Sequence, residues 1–290
     1  MNRQFNSDHH VFELDILDRG FLNDLLPLTK AYAYDGERQM RDIIDSETSN
    51  ATDHFILYSG KESIKTIVSQ STVDIPKFIS SFDIKEELLL VKKPSRTRAA
   101  AADEINALIR EKLMPMGLYN AIQGFPSATV IGKINTRGKQ PDYGWCPKRR
   151  RCQCGFAEPK MPSVVIEVAE IEHDHKLNSD VRYWLSPNDG NVKMCLTVRV
   201  DRGNDEIRLE SWIRHEVHHG SYRIYRNQVT YTQMTKQVHP IVTGDCPFHI
   251  PFESLMLQPI ETGRGAENDL IFSRADLERV AQSIWNAEWE

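Results

Sequence analysis

Apolar residues recur along the chain at two periods, and the switches between them mark out the elements. The densest run is Val164-Val165-Ile166-Glu167-Val168-Ala169, β-branched and nearly unbroken, which predicts a buried strand. Asp174 to Leu185 then places Leu177, Val181, Trp184 and Leu185 on one helical face, and Ser186-Pro187-Asn188-Asp189-Gly190 stops it. Val192 to Val200 alternates around Met194, Leu196, Val198 and Val200. The turn Asp201-Arg202-Gly203-Asn204-Asp205 follows, and Ile207 to Ile213 predicts the return strand of a hairpin. Ser221 to Thr235, aromatic and β-branched, predicts further strand.

Upstream, Arg96 to Lys112 predicts a strong helix through Ala99 to Ala102, Ile105, Leu108 and Ile109, ended by Pro115 and Gly117. Gln123 to Lys133 and Asp142 to Trp145 predict two strands ahead of the Val164 run. Downstream, Ser273 caps a terminal helix over Ser273 to Glu290, with Asp276 three residues on and Leu277, Val280, Ala281, Ile284 and Trp285 as its apolar face. The order is helix, three strands, helix, strand, strand. That is an α/β (α+β mixed) class with a central mixed sheet flanked by helices.

The first third is less regular. Val11 to Ile16 alternates as a short strand or docking segment, and Phe21 to Tyr34 predicts helix up to Pro27. Asp35 to Thr52 suggests helix plus loop, His54 to Tyr58 a strand, and Ser59 to Ser71 a helix. Pro76 to Ser81 is a connection and Glu86 to Val91 a short apolar run. No chemistry attaches to these residues. The expected division is an N-terminal extension over 1–92 packed on a core domain over 93–290.

A chain of 290 residues, 40% hydrophobic and 27% charged, can bury a full core as an ordinary globular protein. Its net charge of −5 gives no global signature of nucleic-acid binding, so any such surface must be local. The first residues carry no apolar signal region and no stretch nears eighteen apolar residues. The expectation is therefore an intracellular protein, cytoplasmic or nuclear, with no membrane partner. Five cysteines, an odd number, do not suggest a disulfide framework.

Glu167 interrupts the most apolar run in the chain. An ionised carboxylate there costs several kcal/mol unless it binds a cation or pairs with a cationic side chain such as Arg182. Pro141-Asp142 stands twenty-five residues earlier. Brought onto neighbouring strands, Asp142 and Glu167 make an oxygen-rich site for a hard divalent ion. The plainer alternative is that Asp142 caps a turn after Pro141.

Pro141-Asp142, then Pro162-Ser163-Val164-Val165-Ile166-Glu167-Val168-Ala169, Glu172, Lys176-Leu177 and Tyr183-Trp184-Leu185 resemble, in order and spacing, the PD-(D/E)XK nuclease superfamily. More narrowly they are similar to the restriction-endonuclease-like proteins of bacteria and of expanded fungal sets. The likeness covers roughly residues 95 to 215. It implies a restriction-endonuclease-like core and a phosphodiesterase site in which Asp142 and Glu167 hold Mg²⁺ or Mn²⁺. Glu172 would be an accessory metal ligand, with Glu104 and Glu111 able to add one from behind. DNA is the implied substrate, and a second copy of the chain is a possible partner. The sequence departs from the pattern at its third place, where Ala169 replaces a lysine. Lys176, early on the next helix, is the candidate to reach back as the catalytic lysine. Without such a charge, several kcal/mol of transition-state stabilisation is lost, and the alternative is a catalytically inactive binding or scaffold protein.

Three other features bear on function. The run Lys148-Arg149-Arg150-Arg151 directly follows the Asp142 strand and is a candidate nucleic-acid contact. Cys146, Cys152 and Cys154 flank it and would bind Zn²⁺ only with a fourth ligand such as Cys246 or His249. His215-Glu216-Val217-His218-His219 matches the HExxH signature of zinc metalloproteases. That chemistry needs a helix, and the alternation of Ile207, Leu209, Ser211 and Ile213 predicts a strand entering a turn instead.

Overall fold

The computed structural model describes residues 13–14, 24–47, 53–69, 78–93, 95–125, 130–131, 136–148, 161–170, 174–217, 221–234, 240–260 and 267–287. The elements run β1 (Glu13–Leu14), β2 (Ala31–Ala33), α1 (Glu37–Glu47), β3 (His54–Tyr58), α2 (Lys61–Ser69), β4 (Ile79–Asp83), β5 (Leu88–Lys92) and α3 (Arg96–Leu113). There follow β6 (Ile122–Gly124), β7 (Val130–Ile131), β8 (Arg137–Lys139), β9 (Tyr143–Pro147), β10 (Val164–Ala169) and α4 (Asp174–Leu185). The chain closes with β11 (Met194–Asp201), β12 (Glu206–Glu216), β13 (Tyr222–Gln233), β14 (Ile241–Gly244), β15 (Phe248–Ile250), α5 (Phe252–Met256), β16 (Leu270–Phe272) and α6 (Arg274–Asn286). The class is mixed α/β, with mixed sheets flanked by helices.

An eight-stranded sheet has the order β1-β13-β12-β11-β10-β9-β6, with β14 added on β13. β6, β9 and β10 form an antiparallel meander, and β11 lies parallel to β10 after the α4 crossover. β10 is buried on both faces, which explains its continuous apolar run. Val164, Ile166 and Val168 join Ile105, Leu108 and Ile109 of α3 and Leu277, Val280 and Ile284 of α6 in the main core. Val165, on the opposite face, packs with Val181, Trp184 and Leu185 of α4 and Cys195 of β11. Each such side chain contributes about 1.5–3 kcal/mol when fully buried. The oxygen of Ser95 accepts from the Arg98 amide at the start of α3, and a Ser273–Asp276 capping box starts α6.

A second sheet, six-stranded, has the order β2-β3-β5-β4-β8-β7. α1 and α2 cover it through Met40, Ile43, Ile44 and Ile64 against Phe55, Leu57, Phe82, Leu89 and Val91. β7 and β8 add Val130–Ile131 and Arg137–Lys139 to this sheet, which therefore draws strands from both sides of residue 92. The chain crosses from one sheet to the other twice near one point. β5 ends at Lys92 just before α3, and β8 ends at Lys139 just before β9.

Three sequence expectations are corrected. The described residues 24–30 carry no helix: Pro27 restricts Leu26, and Ala31–Ala33 pairs parallel with Ile56–Tyr58 instead. Pro76 to Ser81 is not only a connection, since Ile79–Asp83 is a strand whose serines hide its period. The single strand expected over Gln123 to Lys133 is two, β6 in the first sheet and β7 in the second. Pro126 between them has no N–H to give a ladder. Among the described residues, no helix is long and apolar enough to cross a membrane.

Candidate active site

The site forms where β9 parts from β10. β9 pairs with β10 only as far as Ile166, opposite Tyr143. Beyond that point, the β10 backbone groups on this side need partners from elsewhere. The Asp142 carboxylate provides one: its Oδ2 accepts the Val168 N–H at 2.7 Å. Lys92 provides the other, its ammonium donating to the Val168 carbonyl at 3.1 Å. The crossover that delivers Asp142 is itself pinned, because the Gln140 N–H donates to the Ser80 carbonyl of β4 at 2.8 Å.

Asp142 and Glu167 therefore converge on one cation, the Lys92 ammonium. Its Nζ lies 2.8 Å from Asp142 Oδ2 and 3.6 Å from Glu167 Oε2. With the Val168 carbonyl, these groups present three oxygens to the ammonium: two from carboxylates and one from the backbone. Such a set suits a hard divalent ion, which commonly takes one or two carboxylates and fills its remaining positions with water and phosphate. Among the described residues, no group of three or more His, Cys, Asp and Glu side chains is placed to hold a metal ion, and the third oxygen around the ammonium is the Val168 carbonyl.

Behind this seat lies a closed half. Glu167 points to the α4 face, and its Oε1 accepts the Trp184 indole N–H at 2.6 Å. Trp184 is held by the turn after α4. A Cβ at Gly190 would lie 2.7 Å from both the Cα and the Cε3 of Trp184, so only glycine lets that turn fold onto the indole. Lys139 of β8 bridges Glu167 Oε1 at 3.4 Å and Asp180 Oδ1 at 2.9 Å. Lys176 donates to the same Asp180 oxygen one helical turn away. The result is an alternating chain of charges: Lys176, Asp180, Lys139, Glu167, Lys92, Asp142. Three positive and three negative groups cancel, which is what permits their burial.

The electrostatics follow from that order. Burial opposes ionisation of Asp142, but Lys92, Arg98 and the Val168 N–H outweigh it and hold the carboxyl below the usual carboxylate range. Burial likewise opposes Asp180, and the paired ammoniums of Lys139 and Lys176 overcome it, leaving that carboxyl well below its ordinary value. Lys139, with no exposed surface, is disfavoured by burial yet raised above its ordinary value by Asp180 and Glu167. Glu167 is the exception: burial, with Asp180 and Asp142 adding like charge, pushes it up to about 7 despite Lys139 and Lys92.

A second ionic group borders the open side. Glu170, just past β10, is reached by Arg202 at 3.3 Å and by the Ser95 hydroxyl, and its N–H donates to Asp53 Oδ2 at 3.4 Å. Arg98 of α3 lies 3.2 Å from Asp53 and 3.9 Å from Glu170. Arg202 also donates to Thr97 at 2.7 Å. Arg98 and Arg202 are thus balanced by Asp53 and Glu170, and the buried Arg98 charge also helps keep Asp142 ionised.

The remaining predicted residues fall elsewhere. Lys176 is buried against Asp180, two charges removed from the Asp142–Glu167 seat. Glu104 and Glu111 accept from Arg279 at 2.7 and 2.8 Å and tie α3 to α6. Arg182 lies 3.7 Å from Asp24. Lys148 is exposed just past β9, whereas Arg149, Arg150, Arg151, Cys152, Cys154 and Glu172 lie outside the described residues. Cys146 is fully buried in β9. His215 and Glu216 end β12, paired in register with Arg223 and Tyr222. The first two residues of the HExxH match are therefore strand and Val217 follows it, while His218 and His219 lie outside the described residues. Sequence reasoning missed Lys92, Lys139 and Asp180. The one available cue was Lys92 closing an apolar run directly before a helix cap.

Compared with known proteins, the sequence matches no family model and no curated protein.

Proposed function

We propose that the chain is a divalent-metal-dependent phosphodiesterase of PD-(D/E)XK type acting on nucleic acid, DNA first, with Asp142 and Glu167 as its metal-holding carboxylates. The observation that carries this reading is the all-oxygen seat of Asp142, Glu167 and the Val168 carbonyl around one ammonium. The order α3, β6, β9, β10, α4, β11, an antiparallel meander followed by a parallel strand, supports a restriction-endonuclease-like core.

Bound in that seat, Mg²⁺ or Mn²⁺ would polarise the phosphate and lower the pKa of a water. The chain's own groups do the rest. Asp142 stays ionised at neutral pH and is clamped to the β10 backbone, so its oxygen is preorganised. Trp184 fixes the Glu167 carboxylate from behind.

A second reading, a catalytically silent binding module, draws on Ala169 and on the full cancellation of charge in the cluster. One assay separates the two: single- and double-stranded DNA and RNA incubated with Mg²⁺ or Mn²⁺, with and without chelator. The phosphodiesterase reading expects cleavage that chelator abolishes and that Asp142→Ala and Glu167→Ala lose while remaining folded. A parent that cuts none of these substrates, or variants that cut as well as the parent, would overturn it.

A further inference from the structure

Ala169 is fully buried, two residues after Glu167, and brings no charge to a phosphate. Three lysines surround the carboxylates, and they are not equivalent. Lys139 and Lys176 have side chains 0% and 2% exposed and are both committed to Asp180 in the closed half. Lys92 stands at the open side, its side chain 11% exposed beside an Asp142 that is 14% exposed. It comes from β5, in the other sheet, and reaches across the seam to the oxygen seat.

Resting on the phosphodiesterase reading, we infer that Lys92 is the catalytic lysine of this site. In this structure its ammonium fills the seat of Asp142, Glu167 and the Val168 carbonyl. When a divalent cation takes the seat, the ammonium moves on its four-carbon stem to the phosphodiester and supplies the charge that Ala169 does not. Both states use the same side chain. A lysine stem spans several rotamers, and the ammonium carries three donors that do not depend on one fixed geometry.

The step balances as a hydrolysis. A water oxygen bonds to phosphorus, and the bond from phosphorus to the leaving oxygen breaks. The leaving oxygen keeps the electron pair and takes up a proton, while the attacking water gives one up to solvent. Negative charge grows on the non-bridging oxygens, and the Lys92 ammonium hydrogen-bonds there without losing its own proton. Products are an alcohol and a phosphomonoester. The second sheet thereby becomes part of the active site.

The test compares the full chain with Lys92→Gln, by Mn²⁺ titration calorimetry, by melting with and without Mn²⁺, and by cleavage. Removing the competing ammonium makes Mn²⁺ binding about ten- to hundredfold tighter, the equivalent of one charge-assisted hydrogen bond. Metal-free Lys92→Gln melts below the parent, and Mn²⁺ raises its melting temperature by more than it raises the parent's. Its turnover number falls about 10²- to 10³-fold at saturating Mn²⁺. Lys139→Gln serves as the contrast: it weakens folding but does not tighten Mn²⁺ binding.

Lys92→Gln that binds Mn²⁺ no tighter than the parent overturns the inference, as does one that cuts as fast as the parent. Neither result touches the phosphodiesterase reading, which fails if the parent itself does not cut or if Asp142→Ala and Glu167→Ala cut as well as it does. If Lys92→Gln does not fold without metal, recovery of the fold by Mn²⁺ but not by equal ionic strength of NaCl supports the inference. A variant that stays unfolded in Mn²⁺ overturns it.

Discussion

Asp180→Asn tests whether the inner half of the charge chain holds the fold together. Asp180 accepts from Lys176 and stands 2.9 Å from Lys139, and all three side chains are at most 2% exposed. The amide is nearly isosteric with the carboxylate, so packing is conserved and only charge is removed. Lys139 keeps Glu167 at 3.4 Å, but Lys176 loses its anion inside the protein. Breaking one partner out of a buried pair typically costs about 3–5 kcal/mol, because the remaining charge is left uncompensated. With a denaturant slope of about 3 kcal/mol/M for a domain of this size, the urea midpoint should fall by about 1–2 M. Urea melts at pH 7 followed by tryptophan fluorescence and far-ultraviolet circular dichroism measure this. A loss under about 1 kcal/mol would mean that the buried pairing of Asp180 with Lys176 does not hold the fold together.

Three further perturbations follow from the same geometry. Glu167 carries a raised carboxyl, at about 7 against an ordinary 4.5, so its contribution to stability is held below the unfolded value and lost as pH climbs through the folded one. Asp142 and Asp180 are ionised in both states across that window, so between pH 4.5 and 7.5 the parent should lose about 3 kcal/mol relative to Glu167→Gln. Parallel stability curves for the two proteins would contradict this. Gly190→Ala pushes a methyl into Trp184, whose Cα lies 2.7 Å from where the new Cβ would stand, and should cost about 1–3 kcal/mol with a shift in tryptophan emission. Arg279→Ala removes the pairs to Glu104 and Glu111, but this guanidinium is 44% exposed, so the stability read from its urea melt should change by no more than about 1 kcal/mol.

How much of this was legible in the sequence depends on how local each signal is. β10 announces itself because Val164, Val165, Ile166 and Val168 are buried on two faces, α3 and α6 because their apolar residues keep helical spacing behind recognisable serine caps, and α4 by its spacing. Asp142 and Glu167 stood out for the same reason, one after a proline and the other inside an apolar run. The pairing partners were not visible. Lys92 lies fifty residues before Asp142 and in another sheet, and no hydropathy pattern links the two. Lys139 is fully buried in a short strand of Arg137, Gly138 and Lys139, whose composition argues for exposure. Only the crossover from β8 to β9 carries that lysine inward. β4 was hidden in the same way, because Ser80 and Ser81 are polar residues on a strand paired on both sides. Tertiary pairing overrode local preference at each of these places.

One seat for a hard cation among the oxygens of Asp142, Glu167 and Val168 is open to a direct measurement. Crystals of the metal-free protein soaked in Mn²⁺ and measured for anomalous scattering examine it directly. A single strong peak is expected between Asp142 Oδ2, Glu167 Oε2 and the Val168 carbonyl, with the Lys92 ammonium displaced from it. No peak there at saturating Mn²⁺, with Lys92 still bonded to Asp142, would contradict it.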